Sequence, residues 1–206
     1  LPPLIGPVRS LRPYFFDGFL PQPTAIIHAG GSPAAINRSD TNRHVTSINA
    51  LKGKYHDSFT RQPGILAPHD LFVEASAIGA MTTPLAITPT QWPPYATGPV
   101  TSGSAATVID VNYFSSLHNV EWEYDEQRHT YLRTNGTVES DTRTKNILIL
   151  KMPIMGVGEL GRLSIKTIGS GPLYLFRNGR VFEGIWKRPA LDEPLAPRVH
   201  GMVARH

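Results

Sequence analysis

From residue 106 to residue 186 one pattern recurs: short runs in which apolar or aromatic side chains alternate with polar ones, each closed by turn residues. An extended chain sends successive side chains to opposite faces, so such runs make strands that bury one face. Residues 106–113 alternate Val108, Asp110 and Asn112 with Thr107, Ile109, Val111 and Tyr113. Residues 120–124 alternate Val120, Trp122 and Tyr124 with Glu121 and Glu123. Residues 129–133, 146–152, 163–168, 173–176 and 181–186 continue the series, and Asn135-Gly136 and Asn178-Gly179 are hairpin signals. Seven segments in about eighty residues predict a β-sandwich or half-open barrel.

The first eighty residues differ. Residues 24–28 form an apolar run between Pro23 and Gly30, too brief for a helix and read as a buried strand. Gly30, Gly31 and Ser32 turn the chain, and Pro33 opens a helix with Ser32 as its N-cap. Residues 9–20 predict a short helix after Pro7, with Tyr14, Phe15, Phe16, Phe19 and Leu20 on its apolar face. A third helix is expected over 71–81 with Asp70 as cap, and 37–53 reads as irregular. The fold class is therefore α+β: a partial α/β N-terminal domain over 1–80, a Pro/Thr/Gly-rich linker over 81–104 packing through Trp92 and Tyr95, a β-rich domain over 105–195 and a tail over 196–206.

Composition removes several chemistries. The chain has no cysteine, so disulfides, thiolate catalysis and Cys-ligated zinc are excluded. Its net charge of +4 is spread, with seven basic and five acidic residues in the first eighty, and lacks the polybasic stripe of a nucleic-acid binder. No apolar run reaches the length of a transmembrane helix and no signal peptide is visible; Leu1 is not an initiator methionine and reads as a processed, trimmed or incomplete end, with which any targeting segment would have been lost.

The candidate site residues cluster early. Arg9 and Arg12 are three apart and, in a helix, would share a face suited to bidentate recognition of phosphate or carboxylate. His28 ends the first buried strand as an orienting donor, an acid–base group or a structural histidine. Backbone N–H groups at Gly30, Gly31 and Ser32 would face a ligand above the strand end. Arg61 and His69, with Tyr55, come from a third segment that would complete a polyanion pocket if it folds over the first two. No cofactor is expected. A metal is disfavoured because no histidine pair has helical i,i+4 spacing joined to a glutamate, leaving only a meeting of His28, His69 and Asp70 in space. Ser10 and Ser32 lack the glycines of a nucleophile elbow. Trp122, Tyr124, Tyr131 and Trp186 read as strand packing, with glycan binding the alternative if they are exposed.

The segments IGPVRSLRPYF, IIHAGGSP, PHDL, VEWEYDEQRHTYLR and IGSGPLYLFRNGRVFEGIWKRP, in that order over most of 5–194, resemble the YerB-like family of bacterial lipoprotein-type proteins. That resemblance implies two consecutive domains of unknown function, an α/β one and a β-rich one, in a protein exported and held at the cell envelope; it implies no catalytic residue. Relatives carry further strand and turn sequence before the position of Ile5 and another Gly-containing turn and strand after 194, so the N-terminal domain is expected to be incomplete, either completed by association with another chain or a fragment whose first piece is missing. An arginine-bearing segment followed by His-x-Gly-Gly is also similar, as a short pattern, to the LytR-CpsA-Psr phosphotransferases. The function expected is binding of an anionic envelope ligand. A phosphotransferase or hydrolase on an envelope phosphodiester, and a scaffold assembling through an open sheet edge, are the alternatives.

Overall fold

The structure, a computed structural model, describes residues 3–18, 24–42, 45–85, 102–113, 115–158, 162–190, 193 and 195–200. The expected linker packing through Trp92 and Tyr95 lies outside these residues. The chain is β-rich with several sheets, and its contacts divide it into two compact units, one holding 1–92, 154–167 and 191–194 and the other the remainder.

In the N-terminal unit, β1 (Leu4–Ile5) leads through a helical turn, α1 (Phe15–Gly18), to β2 (Thr24–His28). Helix α2 (Pro33–Thr41) then carries the chain to β3 (Val45–Asn49), which lies parallel to β2 with Thr24 opposite Val45 and His28 opposite Asn49. Parallel neighbours require such a crossover connection. β4 (Phe59–Arg61) and β5 (Leu71–Glu74) follow, and β5 takes the centre of an antiparallel sheet between β1 and β4. Helix α3 (Ala75–Thr82) completes the segment, and Met81 joins Val8, Ile48, Ala50, Phe59, Leu71 and Val73 in one buried cluster. A second cluster gathers Leu11, Phe16, Ala35 and Val45.

The C-terminal unit is antiparallel throughout its described residues. β6 (Ser104–Ala105) precedes a four-stranded meander of β7 (Val108–Val111), β8 (Val120–Asp125), β9 (Thr130–Asn135) and β10 (Val138–Thr144). β11 (Asn146–Leu150) enters a second sheet; the hairpin β12 (Ile154–Gly158) and β13 (Arg162–Ile165) belongs to the N-terminal unit. The long strands β14 (Gly169–Arg177) and β15 (Arg180–Arg188) then pair over nine residues, flanked by β11 and by β16 (Ala196–Val199), with β6 also on β15. Asn178 and Gly179 close the hairpin with φ of 51° and 67°, the left-handed pair that a two-residue turn needs to match strand twist. Along β15 the period-two rule is explicit: Phe182, Gly184, Trp186 and Arg188 are buried and Glu183, Ile185 and Lys187 are exposed.

Four expectations are corrected. Residues 9–12 are not helical: Leu11 donates to Gly30 O at 2.9 Å and accepts from Ser32 N at 3.2 Å, so its backbone runs alongside the glycine turn and only 15–18 coil. Residues 71–74 are strand rather than helix because β1 and β4 both pair with them, tertiary pairing overriding the local pattern. The described part of 37–53 is largely regular, α2 running to Thr41 and β3 spanning Val45–Asn49, since parallel pairing with β2 supplies the order that the polar sequence does not advertise. The tail supplies β16, with Gly184 opposite Val199 and Lys187 opposite Ala196.

Candidate functional site

The glycine turn after β2 is built mainly to hold itself together. His28 is 1% exposed; its Nδ1 lies 2.8 Å from Gly30 O and its Nε2 2.7 Å from Ser47 Oγ. A carbonyl only accepts, so Nδ1 carries the proton, and in the neutral ring Nε2 accepts from the Ser47 hydroxyl. Gly30 takes φ of 62°, and its N–H donates to Asn49 Oδ1 at 3.1 Å, an oxygen that also accepts from Leu51 N at 3.1 Å. A Cβ on Gly31 would sit 3.0 Å from Leu11 Cβ and 3.1 Å from Ile36 Cδ1, which is why the sequence has glycine there. Ser32 is the N-cap of α2, its Oγ accepting from Ala35 N at 3.3 Å.

This geometry corrects the turn's expected role. The N–H groups of Gly30 and Ser32 are already spent on Asn49 and Leu11.

Arg9 leaves the strand-like segment in a different direction from Arg12. Its Nη1 donates to Pro68 O at 2.6 Å, whereas Arg12 Nη1 folds back to the carbonyl of Leu11 at 3.0 Å. In an extended chain residues three apart lie on opposite faces, so the shared helical face expected of this pair does not form. Arg61 replaces Arg12 as the partner. Arg9 and Arg61 line one cavity of about 210 Å³ with Ser10, Leu51 and Pro68, and Arg9 with His28 borders another of about 320 Å³. Neither cavity includes Arg12 or His69 in its lining. His69 is exposed beside Asp70, so the expected convergence of three cations and two imidazoles reduces to the two guanidiniums.

Asp70 sets the orientation of Arg61. Its carboxylate, only 11% exposed, accepts from Arg61 Nη1 at 2.6 Å, and this hydrogen bond is the main reason its pKa lies below the usual value. Arg61 itself remains 58% exposed at the cavity rim. Arg9 has no carboxylate partner among the described residues. Its anchor is a neutral carbonyl, which leaves its charge uncompensated at contact distance.

A third cavity, about 500 Å³, opens over β3 and the chain after it, where Ser47, Asn49, Lys52, Lys54 and Tyr55 face it. Reading 37–53 as irregular concealed it. The recoverable signal was the Ser47-Ile48-Asn49 alternation, which marks Ser47 and Asn49 as one face of a strand. Among the described residues no three His, Asp or Glu side chains approach one another closely enough to hold a metal, and no helix is long and apolar enough to cross a membrane. In the other unit Tyr131 and Trp186 are fully buried, as packing residues should be, whereas Trp122 and Tyr124 are half-buried.

Fold and cavities together define a two-unit, β-rich protein whose N-terminal unit carries the three cavities described among its residues. Residues 1–88 match the N-terminal domain, and residues 109–202 the C-terminal domain, of the family described as "Protein of unknown function (DUF3048)", and the chain belongs to that family. It is 25% identical over 230 residues to "Putative lipoprotein YerB" of Bacillus subtilis (strain 168), a match covering 98% of this chain and 66% of YerB. The chain thus spans just under two thirds of that relative's length. The crystal structure of the YerB protein from Bacillus subtilis shares the fold, with a TM-score of 0.75 at 24% identity over 97% of this chain and 70% of that one.

Proposed function

We propose that this DUF3048 protein is an exported component of the cell envelope, membrane-anchored or at the cell surface, whose N-terminal unit binds an anionic, phosphate- or carboxylate-bearing ligand. The observation that carries the reading is the pairing of Arg9 and Arg61 on one cavity of about 210 Å³, one guanidinium anchored by a carbonyl and the other by Asp70. Fixed guanidinium forks suit phosphate and carboxylate oxygens better than mobile ammonium groups do. The envelope location rests on kinship with a relative named as a lipoprotein. In this reading the β2–α2–β3 crossover makes the N-terminal unit a partial α/β domain, and the antiparallel sheets of the second unit are the halves of a sandwich or half-open barrel.

Calorimetric titration with inorganic pyrophosphate tests the proposal. Hydrogen bonds to charged groups contribute about 1.5–3 kcal/mol, so Arg9→Gln and Arg61→Gln should each weaken binding by roughly 10- to 100-fold. Equal affinity in wild type and both variants would sink the assignment. A second reading, recruitment of another chain along a sheet edge, is favoured by β4, where Thr60 and Arg61 are exposed on an outer strand. A monomeric mass by light scattering across a wide concentration range would remove self-association from it.

A further inference from the structure

We propose that Ser47 is a nucleophile and His28 its general base, serving the cavity of about 500 Å³ with an acyl-transfer or esterase activity on esters that carry an anionic group. Three features converge. Ser47 is one of the residues lining the cavity, while its hydrogen-bond partner His28 is 1% exposed and is not part of that lining. The contact is 2.7 Å, within the range over which a base takes a hydroxyl proton. The Gly30 carbonyl, 2.8 Å from Nδ1, fixes the tautomer that leaves Nε2 free to accept, the orienting task of the third member of a triad.

Asn49 supplies the next requirement. It lies two residues on from Ser47 in β3 and therefore on the same face. Its Oδ1 is held by the N–H groups of Gly30 and Leu51, each at 3.1 Å, which turns the amide Nδ2 hydrogens away from that anchor. A side-chain amide so held is a preorganised donor for an oxyanion. Lys52 and Lys54 border the same cavity with Asp40, the one acidic residue of its lining, and this excess of positive charge favours a negatively charged substrate.

The step balances without a cofactor. Ser47 Oγ attacks the ester carbonyl carbon while its proton passes to His28 Nε2; the tetrahedral oxyanion is met by Asn49. Collapse breaks the bond to the leaving alkoxide, which takes the proton from His28. Water, deprotonated by the same nitrogen, then releases the carboxylic acid and restores the serine.

A fluorophosphonate probe tests this on the full chain. Oγ–P bond formation expels fluoride, and the adduct is located by peptide mass mapping. General-base assistance contributes about 100- to 10,000-fold, so labelling at Ser47 should exceed that of other serines by at least about 100-fold. Ser47→Ala should abolish the adduct. No adduct at Ser47, or labelling spread evenly over several serines, overturns the proposal, and the wild-type labelling pattern alone decides it if a variant misfolds. Substrate class is read by comparing nitrophenyl acetate with nitrophenyl hemisuccinate. Lys52→Ala/Lys54→Ala should raise KM roughly three- to tenfold for the anionic ester alone; an equal change for both esters overturns the anionic preference. Pyrophosphate binding at Arg9 and Arg61 is a separate readout, so either site can fail without the other.

Discussion

The two units use buried polarity differently. In the N-terminal unit His28, Ser32, Ser39, Asp70 and Thr167 are buried, and cavities of about 500, 320 and 210 Å³ are walled by its residues. In the C-terminal unit the described core is apolar and aromatic: Ile109, Val120, Tyr131, Leu173, Phe182 and Trp186, with Arg188 the buried charge. Burying a polar group costs free energy unless a partner satisfies it, so a unit that buries several of them must specify their geometry closely. That constraint turns a short parallel strand pair into a scaffold for fixed side chains. The long antiparallel hairpin gains most of its stability from alternation and packing.

The contrast can be broken by mutation. Trp186 is 1% exposed and donates from Nε1 to Lys151 O at 2.8 Å, so Trp186→Ala should destabilise the C-terminal unit by about 3–5 kcal/mol, read by denaturant unfolding. Pyrophosphate binding should persist in that variant under native conditions; its loss would erase the division between the units. Ser32→Ala removes the N-cap of α2 and should cost the N-terminal unit about 0.5–2 kcal/mol, with hydrogen exchange rising first at the start of that helix.

The smallest effect concerns acid. The Arg61 hydrogen bond depresses the Asp70 pKa in the folded state, so its stabilisation is complete above the unfolded value of about 3.9 and is lost as pH falls through the lower folded value. Asp70→Asn should therefore lower stability at neutral pH and flatten the acid limb of the unfolding curve. An unchanged acid limb would remove Asp70 as the anchor of Arg61.

Much of this was legible in the sequence. Ser32 and Pro33 announced the start of α2, and Asn178-Gly179 announced the hairpin, because caps and left-handed turns depend on a few local residues. β10 was missed since VESDTRT is a polar edge strand without an apolar face. Residues 9–12 misled because their order comes from pairing with a turn some twenty residues away. The candidate site was legible in part: Arg9, His28 and Arg61 border cavities, but the replacement of Arg12 by Arg61 beside Arg9, the anchoring of these two by Pro68 O and Asp70, and the contact of Ser47 with His28 depend on tertiary pairing that no local pattern encodes.

The central claim is that the anion site lies in the N-terminal unit, at Arg9 and Arg61. Arginine side-chain ¹⁵N NMR during a pyrophosphate titration tests it directly. Arg128 and Arg143, ion-paired with Asp125 at 2.8 and 3.3 Å in the other unit, serve as internal controls. The account predicts saturable shifts of the Arg9 and Arg61 Nε–H signals while these two stay in place. Shifts of equal size at all four arginines, or none at Arg9 and Arg61, would contradict it.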